Sequence, residues 1–104
     1  MRRGSTPTNV FTTDIDLSQA TVYVSYEQNG VVVVEKTGSD LTFATDQGNY
    51  TITLSLSQED TLKFKPGTVM IQIRYVFPDG AADASNIIKT TFERIIKDGV
   101  IEYV

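Results

Sequence analysis

A chain with neither histidine nor cysteine has few ways to do chemistry, so its carboxylates are the first place to look. Ser-His-Asp and Cys-His nucleophile schemes are excluded outright, and so is a zinc site built on imidazole or thiolate. A pair of carboxylates can hydrolyse a glycosidic bond, and Asp14 and Asp16 are the nearest approach to such a pair. They stand in the segment Asp14-Ile15-Asp16-Leu17-Ser18 with no second acidic cluster nearby. Short acids in that setting bond their own backbone to hold a turn, so the expectation is turn chemistry and no enzyme activity. Asp40, Asp46, Asp79 and Asp98 supply oxygen of the kind calcium prefers. None falls in the D-x-D-x-D-G order, and each reads as a turn residue, so no metal and no cofactor is expected.

Ligand recognition through aromatic rings is the next possibility. A sugar-binding sandwich displays an aromatic platform, and this chain offers Tyr23, Tyr50, Tyr75 and Tyr103 but no tryptophan. Tyr75 has the core parity of its segment. Tyr23 has the outward parity beside Ser25 and Glu27, where it is either a cover for a neighbouring strand or an exposed contact. Arg74 reads as a solvated or cross-strand partner. Asn49-Tyr50-Thr51 matches the glycosylation sequon, and without a secretion signal the match is expected to be accidental.

The 13 acidic and 9 basic residues leave a net charge of -4, which offers no field to a phosphate backbone; no nucleic-acid partner is expected. No run approaches the ~20 apolar residues of a spanning helix, so no membrane partner is expected. Met1-Arg2-Arg3-Gly4-Ser5-Thr6-Pro7 carries positive charge with no apolar stretch behind it, unlike a signal peptide. The expected location is the cytoplasm where the chain is made, or a particle that carries it away.

The segments that must position these residues alternate with a period of two. Val69, Ile71, Ile73, Tyr75 and Phe77 interleave with polar and mixed positions, the pattern of a strand with one buried face. Pro78-Asp79-Gly80 turns the chain, and the return arm carries Ala84, Ile88, Thr90 and Phe92 on one parity, predicting a long antiparallel hairpin. Upstream, Val10 to Ile15 predicts a first strand, with Ile15 and Leu17 dipping into the core. Ala20 to Gln28 predicts a second, closed by Asn29-Gly30, a hairpin signal because both residues tolerate positive φ. Val31 to Lys36 completes that hairpin with four valines, a run suited to burial on both sides or to a packed edge. Leu41 to Ala44 and Tyr50 to Leu56 predict two more strands around Asp46-Gln47-Gly48-Asn49. Ser57-Gln58-Glu59-Asp60 has the form of a capping box and predicts one helical turn, ended by Lys63-Phe64-Lys65-Pro66-Gly67. Lys97-Asp98-Gly99 ahead of Val100-Ile101-Glu102-Tyr103-Val104 predicts a small final hairpin, or an apolar arm covered by something else.

At 104 residues the chain has the length of one domain with one core, here 1–104 with a lead-in arm over 1–9 and a C-terminal hairpin or arm over 97–104. Seven or eight short strands at regular spacing predict an all-β, immunoglobulin-like antiparallel β-sandwich with one short helical turn. The cysteine pair and tryptophan of antibody domains are missing.

Arg2-Arg3-Gly4-Ser5-Thr6-Pro7-Thr8, the phrase Leu56-Ser57-Gln58-Glu59-Asp60-Thr61-Leu62-Lys63-Phe64 and the run from Asp79-Gly80 to Ala84-Ser85-Asn86-Ile87-Ile88-Lys89-Thr90-Thr91 together resemble a group of small proteins of tailed phages and prophages of Gram-positive gut bacteria. The layout is also similar to the immunoglobulin-like N-terminal domain of phage baseplate upper proteins. The resemblance implies a noncatalytic structural component of a tail or baseplate, with other tail proteins as partners and homo-oligomerisation possible; no residue role comes with it. On the residues themselves, the spare surfaces are the arms, Arg2 and Arg3 at one end and Val100, Ile101, Tyr103 and Val104 at the other, with Tyr23 as a further contact. A carbohydrate- or surface-binding adhesion module, using Tyr23 and the loop carboxylates, is the alternative.

Overall fold

Alternation becomes burial where the pattern is longest. The strand Gly67–Val76 (β6) turns Val69, Ile71 and Ile73 into the core, and it lies at the centre of a five-stranded sheet in the computed structural model, which describes residues 1–103. The other strands are β1 (Thr8–Thr13), β2 (Thr21–Gln28), β3 (Val31–Thr37), β4 (Thr42–Asp46), β5 (Asn49–Ser55), β7 (Ala82–Ala84) and β8 (Ile88–Phe92). One sheet runs β1-β5-β4; the other runs β3-β2-β6, with β7 and β8 sharing the far edge of β6. Every strand pairing is antiparallel. The result is an all-β sandwich with the strand order of an immunoglobulin-like fold, in which successive hairpins alternate between the two sheets.

The core fills the space between the sheets. Val22, Val24 and Tyr26 from β2 meet Ile52 and Leu54 from β5, while Leu17, Leu41, Leu56, Phe64 and Phe92 close the ends. Phe64 stacks on Phe92 at 4.5 Å between centroids, and Tyr26 meets Phe64 edge-on at 6.3 Å, a geometry aromatic quadrupoles favour. Tyr26 also carries a polar link across the sandwich at that end, its hydroxyl accepting a 2.7 Å bond from Asn9 Nδ2 on β1.

Burial of that phenol, with a further contribution from the Asp60 charge, pushes its pKa up to about 12 against the opposing Asn9 bond. A folded-state pKa above the ordinary value of 10.0 gives stability that is complete below that pH and is lost as pH rises through about 12. In a phenolate absorbance titration, one of the five tyrosines should therefore ionise last, together with unfolding. Tyr26→Phe should remove the alkaline fall in stability; an unchanged alkaline limb would refute the assignment.

The turns follow their residue types. Asn29 and Gly30 both adopt positive φ (55° and 80°), as the β2–β3 turn demands; between β4 and β5 Gly48 does the same, while Gln47 is drawn to positive φ against its residue type. Gly38–Asp40 forms a single 3-10 turn, with Thr37 as its N-cap. The capping box is formed: Ser57 Oγ accepts from Asp60 N–H and Asp60 Oδ2 accepts from Ser57 N–H, each at 3.0 Å, opening the one-turn helix α1 (Gln58–Leu62).

Four expectations change on the structure. The first strand covers Thr8–Thr13, not Val10 to Ile15, and Ile15 is part-exposed while Leu17 alone is buried. The valine run, read as buried on both sides or as a packed edge, lies on the edge strand β3, where Val34 is buried but Val31 and Val32 are 62% and 52% exposed. Val33 is the extra residue of a bulge, since Tyr26 faces Val34 and Glu27 faces Val32. The return arm is broken: Arg74 pairs with Ala84 but Ile71 pairs with Ile88, so one more residue lies on the arm than on β6 and the parity flips between them. That puts Ala84 opposite an outward residue and Ile88 opposite a core residue. Ser85 spans the break, its hydroxyl accepting Ile73 N–H at 3.0 Å while its own N–H bonds Ile73 O at 2.7 Å. The hairpin expected around Asp98-Gly99 does not form; residues 100–103 belong to no strand.

Candidate functional site

The two arms meet at one end of the sandwich. Thr8 pairs with Ser55, so the start of β1 lies beside α1, and the segment ahead of it crosses to the other sheet through a parallel bridge between Arg2 and Glu93. Gly4 makes that crossing possible. Its φ is 76°, and a Cβ there would stand 3.2 Å from the Ile95 side chain and 3.6 Å from that of Leu62, so any larger residue is opposed by both conformation and space.

Arg3 is not a spare contact. Its Nε donates to Phe64 O at 2.6 Å and its Nη2 to Leu62 O at 3.0 Å, while Nη1 pairs with Asp98 at 3.2 Å. The guanidinium satisfies carbonyls left open where α1 ends and ties the lead-in to residue 98 at the same time. Thr61, fully buried, donates from its hydroxyl to Ser5 O at 2.8 Å. Arg2 remains largely exposed beside Glu93, 3.1 Å apart, an arrangement of small energetic value.

The C-terminal arm is held lightly and exposes its apolar side chains. Gln58 Nε2 donates to Ile101 O at 3.1 Å and Ile101 N–H donates to Gln58 Oε1 at 2.9 Å, a side-chain amide taking the place of a strand neighbour. Around that point Val100 and Ile101 are 50% and 59% exposed, and Ile96 and Tyr103 almost wholly so. Val104, grouped with them in sequence, lies outside the described residues.

Tyr23 stands apart, on the outer face of the five-stranded sheet between Thr37 and Arg74, part-covered and 41% exposed. It shares no surface with the arms. The loop acids do not converge either: among the described residues no three His, Cys, Asp or Glu side chains gather as metal ligands would. Asp16 caps its own turn through Ser18 N–H at 2.9 Å, a bond that lowers its pKa. Asp60 is held below the carboxylate range although burial would raise it, because Lys36 Nζ at 2.8 Å and the Ser57 N–H outweigh that burial. Both are structural acids. Among the described residues no helix is long and apolar enough to cross a membrane.

Sequence reasoning missed the glutamines. Gln28 and Gln58 each grip a backbone N–H and C=O far along the chain, and nothing in their local context distinguishes them from surface residues. No family model matches this chain, and no curated protein or solved structure matches it either.

Proposed function

We propose that the chain is a noncatalytic structural module of a tailed phage or prophage, a tail or baseplate component that works by docking to other proteins of the particle. The observation that carries this reading is the C-terminal arm, where Val100, Ile101 and Tyr103, with Ile96 just ahead of it in sequence, stand exposed in a segment without a strand partner. Apolar side chains of that size gain ~1.5–3 kcal/mol each on full burial, and exposed apolar clusters mark contact surfaces. The resemblance of the lead-in, the α1 phrase and the return arm to small phage proteins supports the choice of particle, and the unpaired β3 edge supplies a second place for strand addition.

Light scattering after size exclusion, alone and with co-expressed tail proteins, tests the proposal. A complex or oligomer is expected, and Ile101→Ser with Tyr103→Ser should dissolve it without moving the unfolding midpoint, because both side chains are exposed in the single chain. A strict monomer indifferent to every tail protein would count decisively against it.

A further inference from the structure

The end of the sandwich opposite the arms holds a cleft of about 580 Å³ between the C-terminal end of β1 and the break between β7 and β8. Thr13 pairs with Tyr50 at that end, so the β4–β5 turn delivers Asn49 to the rim, and the bulge at Ser85 delivers Asn86. Asp14 completes the polar lining, while Ile73 and Tyr75 supply an apolar wall. The Tyr75 ring is steadied by Phe77, edge-on at 5.7 Å. The side chains of Asp14, Asn49 and Asn86 make no hydrogen bond to any described residue, although the bonds of Ser85 fix the backbone that carries Asn86.

We infer that this cleft is a binding site for a neutral, hydroxyl-rich ligand of the size of a single sugar ring. The volume falls in the range of small-molecule pockets, and a few convergent polar groups over an apolar wall are their usual make-up. The ionisable groups of the lining are the carboxylate of Asp14 and the phenol of Tyr75, with no cation, so anionic ligands are disfavoured. A carboxylate accepts from two neighbouring hydroxyls, and primary amides both donate and accept, which is the complement of a vicinal diol. The C–H face of a sugar ring packs on an aromatic ring such as Tyr75. The site is independent of the docking end: it shares no residue with the arms.

Amide chemical-shift titrations of the whole chain with glucose, N-acetylglucosamine and glucose 6-phosphate provide the test. Saturable shifts confined to residues 12–17, 49, 73–75 and 84–86 are expected with at least one neutral sugar, with the phosphate binding more weakly. Asp14→Asn should weaken that binding about tenfold, the loss of one charged hydrogen bond, and leave the remaining spectrum unchanged because Asp14 is exposed. Asn86→Ala provides a second variant on the facing wall with the same expected direction. No saturable shift with either neutral sugar, tighter binding of the phosphate, or binding indifferent to both substitutions overturns the inference.

Discussion

Phe64→Ala should lower the unfolding free energy by about 3–5 kcal/mol, the cost of deleting a buried aromatic side chain and leaving its cavity. The residue is 1% exposed and lies just after α1, where the chain passes from one sheet to the other. Its ring is sandwiched into a row with Phe92 from β8 and Tyr26 from β2, so no neighbouring side chain is free to collapse into the space. Because domains are stable by only ~5–15 kcal/mol, urea unfolding should show a midpoint shift large enough to leave a detectable unfolded fraction before denaturant is added. Tyr23→Ala, on the outer face, is the control and should cost far less. Equal losses for the two substitutions would mean that the aromatic row is not the centre of the core.

A substitution of polar character should come second. Gln28 is buried at 7% exposure, and its amide donates to Lys65 O at 2.6 Å and accepts from Lys65 N–H at 2.8 Å. Gln28→Ala strips both partners from the Lys65 backbone at a part-buried site, and the expected loss is about 2–3 kcal/mol, since each unsatisfied buried group costs ~1–3 kcal/mol. Gln58→Ala removes the same two bonds from Ile101, but at an exposed site, where water takes their place and the loss should stay under ~1 kcal/mol. The pair isolates burial as the variable. If chemical denaturation gives equal losses for the two, the Gln28 clamp does not act by sparing buried backbone groups.

The comparison of these two glutamines shows where sequence reading stops. Strands were legible because alternation is local: Val22, Val24 and Tyr26, or Val69, Ile71 and Ile73, declare a buried face within a few residues. Turns were legible because Asn29-Gly30 and Gly48 tolerate the positive φ they adopt, and the Ser57 to Asp60 box was legible because both of its bonds close within one turn. The bulges were not. A single inserted residue at Val33, or in the stretch after Ala84, inverts every later side chain, and only pairing with a particular neighbour reveals the insertion. The end that carries the two arms was half legible: the apolar arm stood out by composition, whereas Arg2-Arg3 looked free and Arg3 proves to be bound inside the fold.

What the amino-acid order determined alone was therefore the class of the protein, an all-β chain with its turns in place and with no imidazole or thiol to work with. Tertiary structure decided which strands share a sheet, which arm stays exposed, and that Asp14, Asn49 and Asn86 surround one cleft. The reason is distance along the chain. Arg3 reaches Phe64 over 61 positions, Gln58 reaches Ile101 over 43, and Gln28 reaches Lys65 over 37; contacts so remote depend on how two sheets stack, a property no short window of sequence contains.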